Sequence, residues 1–222
     1  MTDNATRVEN GPDAKGKISW VVPAVLALLL VIATGVAAWL WWDNLPPDND
    51  SADAAFARDM TDHHAQAVEM ALIVYQRSDD PDIQQMAYDI VNSQQAQIGM
   101  MTAWLNIWDL TTAREGAPME WAAANSMAGH EMGNGEMQSV EDMPGMISRE
   151  QIDSLRELEG AEMDLQFLVL MKEHHEGGIL MAEAALEVAD EDVVSNLANA
   201  IIISQTAEIT NMINMIAERE GS

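Results

Sequence analysis

Apolar residues recur at intervals of three and four along most of the chain beyond residue 50, which is the spacing of one buried face of an α-helix. This pattern predicts four long helices, over about 51–76, 81–108, 161–188 and 192–220, with a shorter one over about 148–159. The buried stripes of the first, second and fourth long helices are Phe56, Met60, His63, Ala67, Met70, Ala71 and Val74; Ile83, Ala87, Ile90, Gln94, Ile98, Met101, Leu105 and Trp108; and Val194, Ala198, Ile201, Gln205, Ile209, Met212 and Ile216.

Helix start and stop signals lie between these segments. Ser51 is a suitable N-cap for the first helix, and Ser78-Asp-Asp-Pro81 ends that helix and opens the next with proline at its first position. Ser148-Arg-Glu-Gln151 has the spacing of a capping box, and Gly160 predicts a kink or a break before the third long helix.

The first and third long helices are copies of one another. Phe56, Met60, His63 and Met70 reappear as Phe167, Met171, His174 and Met181, each 111 positions later, as in 167 − 56. The same offset continues through the following helix, so residues 53–108 form one repeat and residues 164–219 form the second. Two such hairpins predict an all-α protein whose domain, residues 51–220, is a four-helix bundle with approximate two-fold symmetry and one long, methionine-rich connection over 109–147.

Residues 18–42 contain no charged side chain, and as a helix they would span roughly 37 Å, enough to cross a ~30 Å hydrocarbon core. We interpret them as one N-terminal transmembrane helix, followed by a tether over 43–50. Arg7, Lys15 and Lys17 precede the span, so the positive-inside rule places residues 1–17 in the cytoplasm and the bundle outside it. The alternative is a cleaved signal peptide, because Val36-Ala37-Ala38 resembles a cleavage site.

The charge of the chain is one-sided. Removing the three acids and three bases of residues 1–17 from totals of 37 and 10 leaves 34 acids and 7 bases beyond the span. Such a field repels nucleic acid and anionic lipid and attracts cations, so nucleic acid is excluded as a partner. Cysteine is absent, which excludes disulfides and thiolate metal sites.

Imidazole and thioether groups share the buried stripes, and these are ligands that suit Cu(I). The candidate ligands in the helices are Met60, His63, His64, Met70, Met101, Met171, His174, His175, Met181 and Met212, and the connection adds Met127, His130 and Met132. Carboxylate-bridged di-iron is disfavoured, because that chemistry uses Glu-x-x-His, whereas Met60 and Met171 stand three positions before His63 and His174.

The same residues are also compatible with a structural role or with zinc. Gln94 and Gln205 lie on buried stripes and could satisfy the ring nitrogens of His63 and His174, making a structural polar network with methionine as core filler. Zinc bound by histidine alone is possible, although it would leave the methionines without a role. The loop methionines could equally wrap a Cu(I) ion or pack against the bundle.

The paired Met-x-x-His-His motifs, together with Gln94, Pro144-Gly-Met146 and Asp164-x2-Phe167, resemble the bacterial family called domain of unknown function 305. The resemblance covers about 50–218 and implies a ferritin-like four-helix bundle, often exported, with some members binding copper in the periplasm. It also implies metal ligands at the Met and His residues of both motifs. Gln97 departs from a glutamate common in the family, whereas Glu208 keeps it, which makes the two halves chemically unequal.

We therefore expect a membrane-anchored, extracytoplasmic copper-binding protein that sequesters Cu(I) or passes it to a partner protein, without catalysis. The alternatives are a non-catalytic structural or interaction bundle with a buried His–Gln network and no metal, and a metal-dependent redox enzyme.

Overall fold

A computed structural model describes residues 20–43, 45–114, 116–122 and 137–220. Within those residues every regular element is helical and there is no strand, which confirms the all-α prediction. The helices are α1 (Val21–Asp43), α2 (Ala52–Tyr75), α3 (Pro81–Ile107), a 3-10 turn (Val140–Asp142), α4 (Arg149–Glu157), α5 (Gly160–Val188) and α6 (Asp192–Glu220). The chain divides into two compact units, Met1–Pro46 and Pro47–Ser222.

The first unit contains α1. Its segment Val21–Trp42 has 22 residues and a mean hydropathy of 2.6, so by length and composition it is able to cross a membrane. Its apolar side chains are exposed, as the surface of a helix surrounded by lipid would be.

The helices of the second unit begin where capping groups are available. Ser51 accepts a hydrogen bond from the Ala54 backbone N–H, and Asp80 accepts two from the first turn of α3, directly before Pro81. Ser148 and Gln151 form the capping box of α4. Gly160 opens α5 with φ +56°, a backbone angle that favours glycine.

The four long helices form two hairpins, α2 with α3 and α5 with α6, and the hairpins meet mainly through α2 and α5. Buried apolar residues form two clusters, each with members from all four long helices. The Phe56 cluster contains Phe56, Met60, Met101, Leu105, Met181, Ala185, Val194 and Ile201, among others. The Phe167 cluster contains Met70, Val74, Ile83, Ile90, Phe167, Met171, Met212 and Met215, among others. Residues near the start of α2 thus pack with residues near the end of α5, so the two helices are antiparallel.

The first part of the connection between α3 and α4 is fixed to α2 through the carboxylate of Asp59, which is 2% exposed. That carboxylate accepts hydrogen bonds from the Met119 backbone N–H at 2.7 Å and from the Trp121 indole at 2.8 Å, and it pairs with Arg114. Trp121 also meets Phe56 edge to face, with ring centroids 5.6 Å apart. The connection therefore begins on the same end of the bundle as the Phe56 cluster.

The two hairpins are also joined by hydrogen bonds from the α5–α6 turn to α2. The buried carboxylate of Asp53 accepts from the backbone N–H groups of Asp190 (3.3 Å) and Glu191 (3.0 Å). Charge-assisted bonds of this kind satisfy backbone donors that have no partner within the turn.

We predict that Asp53→Ala lowers the free energy of unfolding by about 1–3 kcal/mol, because two backbone donors lose their acceptor. The measurement is urea unfolding of the full-length chain in detergent, followed by circular dichroism. Glu187→Ala, an exposed acid close to the same turn, is the matched control and should change stability by about 0.5 kcal/mol or less. Equal effects of the two substitutions would contradict the role given to Asp53.

Candidate metal centre

A polar layer lies between the Phe56 and Phe167 clusters, because each long helix changes from apolar to polar residues as it passes from one cluster to the other. On α2 the layer residues follow Met60 and precede Ala67, and on α5 they lie between Met171 and Met181. The layer consists of His63, His64, Gln94, His174, His175 and Gln205, each at most 2% exposed.

The antiparallel packing of α2 on α5 brings the two central histidines face to face. The ring centroids of His63 and His174 are 3.9 Å apart, with 34° between the ring planes. His64 lies 6.3 Å from His63, and His175 lies 6.4 Å from His174. The four imidazoles that the sequence places in two separate copies therefore share one buried layer.

Hydrogen-bond acceptors hold three of the four rings by their Nε2 atoms. His63 Nε2 lies 3.1 Å from the Pro144 carbonyl oxygen, His64 Nε2 lies 2.5 Å from Gln97 Oε1, and His175 Nε2 lies 2.5 Å from Glu208 Oε2. A carbonyl, an amide oxygen and a carboxylate accept hydrogen bonds, so in a neutral ring each Nε2 carries the proton. Each Nδ1 is then a bare lone pair, the form in which imidazole binds metals.

Most of the buried polar atoms that lack a hydrogen-bond partner among the described residues belong to this layer. Nine such atoms occur, and eight of them are His63 Nδ1, His64 Nδ1, both ring nitrogens of His174, His175 Nδ1, both amide atoms of Gln94, and Gln205 Oε1. Buried polar atoms in folded proteins are nearly always bonded to protein, water or an ion. Eight in one layer are unusual, and a bound water or ion would give them partners.

Burial keeps three of these imidazoles neutral. Desolvation, reinforced by the neighbouring His64, lowers the pKa of His63 to about 3. Desolvation also lowers the pKa of His64 to about 4 and takes the pKa of His174 well below its usual value. A cation that binds at neutral pH therefore displaces no proton from these three rings, since each already has a free lone pair on one nitrogen.

The two methionines that flank a His pair on one helix lie at opposite ends of the layer. Met60 is in the Phe56 cluster with Met101 and Met181, and Met70 is in the Phe167 cluster with Met171 and Met212. The two groups of three methionines are related by the 111-residue offset, and all six side chains are fully buried. One group of sulfur atoms therefore lies on each side of the histidines.

The remaining candidates are not brought into hydrogen bonds with the histidines. In the structural alternative Gln94 and Gln205 would satisfy the ring nitrogens of His63 and His174. The Pro144 carbonyl lies beside His63 Nε2 instead, and neither amide atom of Gln94 has a partner in the described part of the chain. Gln205 lies beside the helix turn after His174, where its Oε1 is 2.5 Å from the position that a Cβ on Gly178 would occupy. The loop candidates Met127, His130 and Met132 lie outside the described residues.

Among the described residues, no three His, Asp or Glu side chains are arranged as a finished metal site. The donor chemistry still fits a soft cation, since uncommitted imidazole nitrogens lie between two groups of buried thioethers. The layer also contains positioning groups that the periodicity of the stripes did not indicate: the Pro144 carbonyl, Gln97 and Glu208. The unequal pair Gln97 and Glu208 was visible in the sequence through the repeat, but its contact with the outer histidines was not.

Comparison with known proteins places this arrangement in a family. The sequence profile of a family described as "Domain of unknown function (DUF305)" matches residues 53–216. The chain belongs to the DUF305 family. This confirms the resemblance indicated by the paired motifs. No curated protein sequence matches this DUF305 chain.

Solved structures of other proteins resemble this DUF305 chain over most of their length. A candidate secreted DUF305 protein from Streptomyces coelicolor is 40% identical, with 78% of this chain and 96% of that one covered and a TM-score of 0.68. A DUF305 fragment from Deinococcus radiodurans is 27% identical, with 78% and 99% covered and a TM-score of 0.62. CopM in a Cu(II)-bound form is 25% identical, with 75% and 96% covered and a TM-score of 0.55.

We predict that the metal-free DUF305 chain loses stability as the pH falls below about 6.5. Between the usual pKa of 6.5 and the folded value of about 3, the unfolded state binds a proton at His63 that the folded state does not. Acidification in that window therefore favours unfolding, by about 1.4 kcal/mol per pH unit for each such histidine.

The measurement is the urea midpoint of the chain in detergent at pH 7 and pH 5, for the wild type and for His174→Leu. The variant lacks one buried imidazole with a lowered pKa, so its midpoint should fall less between the two pH values. If both proteins lose the same stability, His174 is not the source of the pH dependence.

Proposed function

We propose that this protein is a membrane-anchored, extracytoplasmic copper-binding protein that sequesters Cu(I) or passes it to another protein. The observation that supports it best is the set of eight unpartnered polar atoms, in the described residues, between two groups of buried methionines. An unpartnered buried polar atom costs about 1–3 kcal/mol, and a bound cation would give the lone pairs among them a partner.

The choice of copper follows from the ligand types. Three imidazoles are oriented by acceptors on Nε2, a fourth has both nitrogens uncommitted within the described chain, and thioether sulfur is a soft donor that selects Cu(I) over harder cations. CopM, whose fold this chain shares at 25% identity, has been solved in a Cu(II)-bound form. That relative supports copper as the cargo of the layer.

We assign the roles from burial and from the position of each residue along the packed helices. His63, His64, His174 and His175 are the nitrogen ligands, and Met60, Met101 and Met181 on one side, with Met70, Met171 and Met212 on the other, are the sulfur ligands. Gln97 and Glu208 orient the outer histidines. The proposal includes no catalytic step, and the acidic surface beyond the span serves to concentrate cations near the bundle.

The cellular placement rests on α1 and the charges that flank it. Val21–Trp42 serves as the single membrane anchor, with Arg7, Lys15 and Lys17 on the cytoplasmic side. The bundle would then lie outside the cytoplasm, where it meets copper before the ion enters the cell.

His174→Leu separates this proposal from a purely structural histidine network. Neither ring nitrogen of His174 has a described partner, so leucine should leave the stability of the metal-free chain unchanged or slightly higher. Cu(I) and Ag(I) should raise the melting temperature of the wild type by ligand linkage, and the variant should bind these ions at least about 10-fold more weakly.

The measurement is thermal unfolding of the full-length chain in detergent during titration with each ion under reducing, oxygen-free conditions. Met100→Leu, which changes an exposed methionine of α3, is the control and should keep the wild-type response. A wild-type melting curve that ignores both ions, together with a destabilised His174→Leu, would instead support the structural network.

Glu208→Gln tests whether the two halves bind unequally. The Glu208 carboxylate accepts a hydrogen bond from His175, and its negative charge would also offset the charge of a nearby cation. The neutral amide of Gln97 accepts a hydrogen bond from His64 but offsets no charge. If the two halves bind unequally, Cu(I) binds in two steps of different affinity. We expect Glu208→Gln to weaken the tighter step by about 10–100-fold and the reciprocal Gln97→Glu to strengthen the weaker step.

A competition titration against a Cu(I) chelator measures both steps. Glu187→Gln removes one exposed negative charge of the same type and should leave both affinities unchanged. Two equal affinities in the wild type, or no effect of either layer variant, would contradict the unequal halves.

A further inference from the structure

Residues 143–147, here called the strap, cross the seam between α2 and α5 directly over the central histidines. On the α5 side the strap packs directly on the helix backbone at Gly177, where the Cβ of any other residue would overlap both the carbonyl carbon and the oxygen of Pro144. Gly145 has φ +71°, and a Cβ there would meet the backbone of Glu173, His174 and Gly177 at 2.8 Å. Only glycine at both positions permits this approach.

On the α2 side the strap is held by one buried amide. Gln66 Nε2 donates to the Ile147 carbonyl oxygen at 2.9 Å, and the Ile147 backbone N–H donates to Gln66 Oε1 at 2.7 Å. Met143 and Ile147 at the ends of the strap are buried, in the Phe56 and Phe167 clusters respectively. The strap is therefore fixed at both ends and on both helices.

The strap breaks the two-fold symmetry of the polar layer. By the 111-residue offset, Gln66 of α2 corresponds to Gly177 of α5, so one copy holds the strap and the other makes room for it. The Pro144 carbonyl reaches His63 Nε2, whereas neither ring nitrogen of the equivalent His174 has a partner in the described residues. The two central imidazoles, equivalent in sequence, are thus in different hydrogen-bonding states.

We propose that the strap is the positioning element of the site: the Pro144 carbonyl fixes His63 as an Nδ1 ligand, while His174 is left able to offer either nitrogen. Gln66 and Gly177 are the positioning residues, since they hold the strap and are not themselves candidate ligands. The part of this inference that concerns a cation rests on the proposed function, whereas the part that concerns the protonated nitrogen of His63 does not.

The strap therefore preorganises His63 to bind a cation. A ligating histidine that donates its other N–H to an acceptor keeps one tautomer and one ring orientation, and loss of such an acceptor typically lowers metal affinity about 10–100-fold. His63 meets this condition before any ion arrives. The His174 ring has neither the strap nor a side chain as acceptor, and only the backbone of His63 lies near it, so its orientation is fixed less firmly than that of His63 before an ion binds.

The test compares Gly177→Ala and Gln66→Met with the wild type, as full-length chains in detergent. Gly177→Ala displaces the Pro144 carbonyl from its seat, and Gln66→Met removes both bonds to Ile147 while leaving Gly177 in place. Gly99→Ala is the matched control, because a Cβ on this α3 glycine meets nothing within 4 Å. If Gly177→Ala does not fold, Gln66→Met carries the comparison alone.

The first readout is nuclear magnetic resonance of metal-free protein labelled with nitrogen-15 in histidine, which distinguishes a protonated Nε2 from a protonated Nδ1. We expect His63 to be protonated on Nε2 in the wild type and in Gly99→Ala, and to shift towards a mixture of tautomers in the strap variants. The second readout is Ag(I) affinity, expected to fall about 10–100-fold in the strap variants only.

The two readouts separate the possible failures. A wild-type His63 protonated on Nδ1, or a tautomer unaffected by both strap variants, overturns the positioning role of the strap whether or not Ag(I) binds. Absence of Ag(I) and Cu(I) binding in the wild type, with the tautomer result as expected, overturns the proposed function and the metal-positioning part of this inference while retaining the fixed tautomer.

Discussion

The structure depends on the packing of α2 against α5 in antiparallel orientation, which places His63 on His174 with 3.9 Å between ring centroids. Imidazole is a polar group, and two buried imidazoles packed against each other are not stabilised by hydrophobic burial in the way the flanking clusters are. The Phe56 and Phe167 clusters supply the stability of the bundle on either side, and this allows the layer between them to hold polar atoms that have no partner in the described chain. Apolar packing and unpartnered polar atoms are thus separated along the bundle axis.

Much of this arrangement follows from the sequence because it depends on local rules. The helical period predicts the buried stripes, and capping residues predict where helices begin, at Ser51, Asp80 and Ser148. The 111-residue offset predicts two hairpins related by symmetry. Buried histidines on the first and third long helices follow from the same stripes. What periodicity does not give is the relative direction of α2 and α5, and that direction decides which methionines share an end of the layer. The sequence places Met60 and Met70 on one helix, and the antiparallel contact groups Met60 with Met181 and Met70 with Met171.

The acceptors that orient the rings were harder to predict for a different physical reason. Gln94 and Gln205 stood out because an amide interrupts an apolar stripe, whereas Gln97 and Glu208 are half-buried and look like ordinary surface residues of a helix. The Pro144 acceptor is a backbone carbonyl in an irregular segment, so no side-chain pattern marks it. Its traces in the sequence are the Pro144-Gly-Met146 motif, which does not show what it contacts, and Gly177 on α5, where the copy on α2 has Gln66. A glycine inside a helix signals close backbone approach only once the neighbour is known.

A duplicated hairpin joined by a single connection cannot stay symmetric, since the connection passes over one side of the two-fold axis and has no counterpart on the other. In this chain residues 143–147 of the connection pass over the polar layer itself, so the asymmetry falls on the histidines: a carbonyl faces His63, an amide faces His64 and a carboxylate faces His175, whereas neither ring nitrogen of His174 has a side-chain partner in the described structure. Four chemically identical side chains thereby have four different surroundings. Under the proposed function a cation in this layer would meet three rings already held by acceptors and a fourth, His174, that no side-chain acceptor in the described structure holds, and a ligand that the protein does not hold would cost less to detach.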